Sequence, residues 1–374
     1  MTTAASAVGQ IKVYPGISTP QGIAPGPDGA LWFTNYGNDS IGRISTSGRV
    51  TGYTGTHIAR PSGITPGPDG ALWFTNFGNN SIGRITTAGV VSNYPGTGVS
   101  QPQGISVGPD GAMWFTNSGN KSIGRIATDG SVSNYTGTGI SMPNGIAAGP
   151  DGAMWFTNYD NASIGRISTA GAVSNYPIGT GITFPLGITA GADGALWFTN
   201  AGRSSSIGRI SIAGSVSTYT GAGLAGPYGI TAGPDGALWF TNYGSASIGR
   251  ITTAGAVSNY TGPGIDYPEG ITAGPDGALW FNNSFNDSIG RISTAGAVSN
   301  YTGTGIDDPG VITAGPDGAL WFTNGSSSIG RITTSGMVTR YTGTGIAGPG
   351  GMSVGRDGAL WFTNRGNDSI GRIT

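Results

Sequence analysis

Few side chains in this sequence could carry acid–base or metal chemistry, and they are unevenly spread. The 374 residues include one histidine, His57, one glutamate, Glu269, and no cysteine. Thiolate nucleophiles, disulfides and thiolate zinc sites are therefore excluded. The one histidine is misplaced for a Ser-His-Asp set. Phosphate-cradling loops are absent, because the glycines sit in hairpins rather than ahead of helices. The carboxylates gather in one stretch: Asp266 and Glu269 precede one strand, and Asp307 and Asp308 recur 41 residues later. Four carboxylates without a nearby Lys or Arg repel one another, and a divalent cation would relieve that repulsion. Oxygen ligands on flexible loops suit Ca²⁺ better than Mg²⁺, with a dissociation constant on the order of 10⁻⁴ to 10⁻³ M. The expected cation site is thus Asp266, Glu269, Asp307 and Asp308. Tyr228 and Tyr267 fall on the same arc, and these six residues form the candidate ligand-binding surface. Its expected partner is a small molecule, a saccharide or a peptide.

The elements that must position these groups come from a repeat. Gly26-Pro27-Asp28-Gly29-Ala30-Leu31-Trp32-Phe33-Thr34-Asn35 returns nearly unchanged, with Trp at 32, 73, 114, 155, 197, 239, 280, 321 and 361. These nine account for every tryptophan in the chain. A period of 40 to 42 residues marks a repeat architecture. Each copy continues through Ser-Ile-Gly-Arg-Ile, a Gly-containing turn and Val-Ser-Asn-Tyr. Four short strands per copy, joined by tight turns, make one blade of a β-propeller. The expected fold is all-β: a single nine-bladed propeller with four antiparallel strands per blade. Ile11-Lys12-Val13-Tyr14 matches the fourth strand of a copy, whereas the C-terminus stops after the third. The N-terminal strand should therefore complete the last blade and close the ring, leaving no open sheet edge.

Within a blade the first strand (a) should be innermost and the fourth (d) outermost and most polar. The Asp-Gly of the a–b hairpin suggests a two-residue type I′ turn. Strand b is nearly all apolar, as expected where neighbouring blades cover both faces, and its Trp should pack between blades. The glycine of strand c should admit a neighbouring ring closely. Asp at 28, 69, 110, 151, 193, 235, 276, 317 and 357 and Arg at 43, 84, 125, 166, 209, 250, 291, 331 and 372 recur in step. Such repeated charges read as structural pairs. The Asn that ends strand b recurs as Asn35, Asn76, Asn117, Asn158, Asn200, Asn242, Asn283, Asn324 and Asn364. These nine are expected to cap the b–c turns or to form a polar ring at the channel mouth. The d–a and b–c loops share one face and vary from copy to copy, which makes that face the place for function.

Composition narrows the partners. Only 9% of residues are charged and the net charge is −1. No basic stripe exists to neutralise phosphates, so nucleic acid is not an expected partner. No run of 18 apolar residues and no charged-then-apolar leader is visible, so a membrane partner is not expected, and secretion with a removed signal peptide stays open. The reading is a soluble monomer of unassigned compartment, residues 11–374 forming the propeller and 1–10 a disordered lead-in. The near-identity of the copies points to amplification of one unit, natural or consensus-like.

The motif Gly-Pro-Asp-Gly-Ala-Leu-Trp-Phe-Thr-Asn followed by Ser-Ile-Gly-Arg-Ile resembles the streptogramin B lyase (virginiamycin B lyase) propeller family, from Ile11 to Thr374. The resemblance implies a seven-bladed ring that linearises a cyclic depsipeptide by elimination, aided by Mg²⁺. It also implies a catalytic His in Pro-His-Gly-Ile, a Glu closing Trp-Phe-Thr-Glu and a second His after it. This chain departs in blade number and in those residues. Its Pro-X-Gly positions hold Gln21, Ser62, Gln103, Asn144, Leu186, Tyr228, Glu269, Gly310 and Gly350, and none is His. The Glu position holds the nine Asn without exception. Elimination needs a group that titrates near neutral pH and a partner acid. Asn supplies neither, and His57 lies four residues before the motif's Pro61. The chain therefore reads as a non-catalytic scaffold, with Mg-dependent lyase action on a streptogramin as the alternative.

Overall fold

The computed structural model describes residues 11–14, 17–45, 49–158, 160–176, 182, 185–202, 205–325, 327–343, 345–355 and 358–373. They form nine four-stranded antiparallel sheets, eight of them running a-b-c-d in chain order. Blade 1 comprises Pro20–Pro25, Leu31–Asn35, Ser40–Ile44 and Val50–Thr54. Blades 2 to 8 repeat that plan. Blade 9 has Pro349–Val354, Leu360–Asn364 and Ser369–Ile373, and its outer strand is Ile11–Tyr14 from the other end of the chain. That strand pairs antiparallel with Ser369–Ile373, from Ile11 opposite Ile373 to Tyr14 opposite Ile370. The closure expected from the sequence is thus made by backbone hydrogen bonds. Residues 1–10, expected to be a disordered lead-in, lie outside the described residues. Among the described residues no helix is long and apolar enough to cross a membrane.

The a–b turn differs from the type I′ expectation. Gly29 N–H donates to Gly26 O at 3.2 Å, and Gly26 N–H to Ala30 O at 2.7 Å. Of Pro27, Asp28 and Gly29, only Gly29 has a positive φ, 78°. This is a three-residue loop, a type I turn followed by a left-handed glycine. Pro27 suits the second position of a type I turn. Asp28 at a negative φ then turns its carboxylate back onto strand b, which its structural role requires.

The core lies between blades. All five residues of strand b are buried in blade 1, and Trp32 packs with Leu72, Phe74 and Ile85 of blade 2. Trp361 of blade 9 packs the same way against Leu31, Phe33 and Ile44 of blade 1. The ring therefore closes through the contact it uses everywhere else. Strand c carries glycine because the strand b ring lies flat upon it: a Cβ built on Gly83 would sit 2.1 Å from Phe74.

Candidate functional site

The repeated charges are structural, as expected. In blade 2 the Asp69 carboxylate accepts from the Trp73 indole N–H at 3.0 Å and from Arg84 Nε at 2.6 Å. The Arg84 guanidinium lies over the Trp73 ring, 5.8 Å from its centroid, and Tyr94 of strand d stacks on that ring at 5.5 Å. Eight such Asp–Arg pairs stand among the described residues; Asp357 of the ninth lies outside them. Burial pushes the Asp69 carboxyl up, but the indole N–H and the guanidinium outweigh it and hold its pKa below the usual value.

Two residues of strand b set the other face of the ring. The threonine of Trp-Phe-Thr, unassigned by the repeat pattern, joins successive blades. Thr241 Oγ1 accepts from Gly229 N–H of its own blade at 2.9 Å and donates to the Glu269 carbonyl of the next at 2.8 Å. Thr199 donates to the Tyr228 carbonyl in the same manner, at 3.0 Å. Where one copy reads Trp280-Phe281-Asn282, the amide spans the same gap, with its acceptor moved back one residue to the proline carbonyl. Asn282 Oδ1 accepts from Gly270 N–H at 2.8 Å, and its Nδ2 donates to Pro309 O at 2.8 Å. That preserved donor–acceptor pair was the signal available in the sequence. It fixes the backbone of every Pro-X-Gly position so bridged.

The nine Asn do not ring an open channel mouth. Asn35, Asn76, Asn117, Asn158, Asn200, Asn242, Asn283, Asn324 and Asn364 are all at most 2% exposed. Asn76 Oδ1 accepts from Ala59 N–H at 3.1 Å, and its Nδ2 donates to His57 O and to Ser81 Oγ, each at 3.0 Å. Asn158, Asn283, Asn324 and Asn364 tie the d–a loop to the b–c turn in the same way, which is the capping expectation. His57 itself is exposed and enters blade 2, across the ring from Glu269 in blade 7.

The four carboxylates expected to hold a cation take different backbone positions. Asp266, Glu269, Asp307 and Asp308 belong to no group of three or more His, Cys, Asp or Glu placed to hold a metal among the described residues. Their backbones explain why. Asp266 and Asp307 hold loop positions whose N–H groups donate to Asn283 and Asn324. Asp308 follows at φ 45° with its N–H bound to Asp287, and Glu269 lies beyond the proline, inside strand a.

Three of the six candidate ligand residues nevertheless adjoin one another. Tyr228 and Glu269, with Ala201, Gly226 and Tyr243, line a concavity of about 310 Å³ at blades 5, 6 and 7. Tyr228 also walls a second one of about 360 Å³ with Leu186. Tyr267 meets Tyr243 edge-on at 5.1 Å, and Phe285 backs Tyr267 at 5.2 Å. Tyr228 is 52% and Phe285 76% exposed. Tyr243 and Phe285 escaped the sequence reading. Phe285 could have been found, since most other copies have glycine in its place, as at Gly37, Gly78 and Gly244. The regular stapling fails at this spot: Asn242 Oδ1, adjoining Tyr243, is buried without a hydrogen-bond partner. Departures from a repeat's own rules concentrate at functional sites.

Comparisons with known proteins agree with this architecture. A family model described as the virginiamycin B lyase family matches residues 6–222 and 201–374. No curated protein matches the chain. A solved streptogramin B lyase is 36% identical over 73% of this chain and 94% of its own, with a TM-score of 0.52. A catalytically inactive virginiamycin B lyase from Staphylococcus aureus, solved with quinupristin, is 27% identical over 98% of this chain and 99% of its own, with a TM-score of 0.53. A dihydro-heme d1 dehydrogenase, 11% identical over 88% of this chain and 75% of its own with a TM-score of 0.60, shares the fold alone. With both matches of the family model together spanning nearly its whole length, this nine-bladed chain belongs to the virginiamycin B lyase family.

Proposed function

We propose that this protein is a non-catalytic member of its family that binds a ligand on the face formed by the d–a and b–c loops. One observation carries the reading. At the positions where the family resemblance implies His, this chain has Gln, Ser, Asn, Leu, Tyr, Gly and one Glu, Glu269, and where it implies Glu it has Asn throughout. The strand b asparagines have their amides engaged in the fold. His57 and Glu269 stand on opposite sides of the ring, so neither supplies the other's partner in an elimination. What favours binding is the exposed aromatic surface about Tyr228, Tyr243, Tyr267 and Phe285, carried on loops that a rigid ring holds in place.

The second reading, Mg-dependent opening of a cyclic depsipeptide, draws on family membership and on the relative solved with quinupristin. The two separate in one assay. Incubation of the purified chain with quinupristin and Mg²⁺, followed by mass spectrometry, is expected to return the intact ring. A linear product whose formation is lost in His57→Ala or Glu269→Gln would establish the lyase instead. A thermal-shift screen with saccharides, peptides and small molecules should at the same time yield a stabilising ligand.

A further inference from the structure

We propose that the concavity at blades 5, 6 and 7 binds an organic ammonium cation, with the rings of Tyr228 and Tyr243 as walls and Glu269 as counter-charge. This rests on the ligand-binding reading above and names the class of ligand. The volume, about 310 Å³, lies at the small-molecule end of ligand sites and suits a compact head group. Tyrosine faces attract cations through the negative face of the ring, and the attraction grows as the site sheds water. None of the described residues donates a hydrogen bond to the Glu269 carboxylate, although it lies inside the cleft. A single carboxylate beside two tyrosine rings favours a cation, gains nothing from a neutral ligand of the same shape and repels an anion.

The molecule supplies its own comparison. Tyr36 and Tyr243 each follow the Asn that ends strand b, and Arg60 and Tyr267 each precede the next proline. At blades 1 and 2 the Arg60 guanidinium lies over the Tyr36 ring, 5.9 Å from its centroid. The aromatic seat is thus filled there by a cation of the chain itself. At blades 6 and 7 the cationic side chain is replaced by Tyr267, which sits edge-on against Tyr243 and holds that ring in place. The Pro-X-Gly residue changes in parallel, from Ser62 to Glu269. One copy satisfies the ring internally; the other keeps the ring, removes the cation and adds a negative charge.

Calorimetric titration of the full chain tests this, with choline as the trimethylammonium probe and 3,3-dimethylbutan-1-ol as its uncharged isostere. Choline is expected to bind roughly tenfold or more tightly than the isostere. Glu269→Gln should weaken choline about tenfold and close that gap, and Tyr228→Leu should weaken it similarly while Tyr228→Phe keeps it within about twofold. Equal melting curves for the variants confirm that the fold is intact. Choline that gives no heat, binds no better than the isostere or ignores Glu269→Gln overturns the proposal. A neutral oligosaccharide that binds through Tyr228 while choline is silent overturns the cation class and leaves the binding role standing. Linearisation of quinupristin in the assay above overturns that role itself, whatever choline does.

Discussion

In eight blades, among the described residues, a partly buried aspartate stays charged because two strong donors converge on it. The eight described aspartates of this kind, Asp28 to Asp317, all have depressed pKa values: burial raises each, and the Trp and Arg donors more than reverse it. A depressed carboxyl contributes stability that is fully present above the unfolded value, near pH 4, and is lost as pH falls through the folded value. The melting temperature is therefore expected to hold between about pH 5 and 7 and to fall steeply below about pH 4. Asp69→Asn should melt lower than the parent at pH 7, and the two curves should converge toward pH 3, near and below the carboxylate range. Parallel curves at every pH would mean that the charge of Asp69 contributes nothing and its shape alone matters.

Strands b and c fit as a ring on a bare backbone. The nearest ring atom of Phe74 would stand 2.1 Å from a side chain at Gly83. Overpacking of this kind typically costs about 1–3 kcal/mol. Gly83→Ala should lower stability by that order in a denaturant titration, and Phe74→Leu in the same chain should recover part of the loss. If the double variant shows purely additive losses, the ring and the glycine are not coupled. The threonine bridge acts between elements as well. It holds the backbone of Tyr228 and Glu269 from the preceding blade, so the site's geometry depends on packing two strands away from it.

The whole ring depends on its two ends. Removing residues 1–16 deletes Ile11–Tyr14 and leaves Ser369–Ile373 with an unpaired edge. That truncation is expected to lower the melting temperature and to produce aggregates in size-exclusion chromatography. A truncated chain that remains monomeric with an unchanged melt would mean that closure rests on the contact of Trp361 with blade 1 alone. Nine copies of one interblade contact also distribute stability evenly, so a Trp73→Ala cavity costing about 3–5 kcal/mol should weaken the ring at a single joint.

The repeat alone determined the blades, their number, their strand order and the closure, because each copy carries its own turns, apolar strand and packing tryptophan. Local chemistry of that kind survives without knowledge of neighbours. The pairing of Asp69 with Arg84 was legible for the same reason, since both recur in step. Contacts between copies were not. Thr241 reaches Glu269 across a blade boundary, and the strand b asparagines turn inward to loops rather than outward to a channel. Asp266, Glu269, Asp307 and Asp308 looked convergent by spacing, and the structure places them at three different backbone positions. The cleft walled by Tyr228, Tyr243 and Glu269 belongs to three blades at once. Side-chain direction at a loop–strand junction depends on the φ of a residue such as Tyr267, at 46°, and on which neighbour fills the space beside it. Only the closed ring decides both.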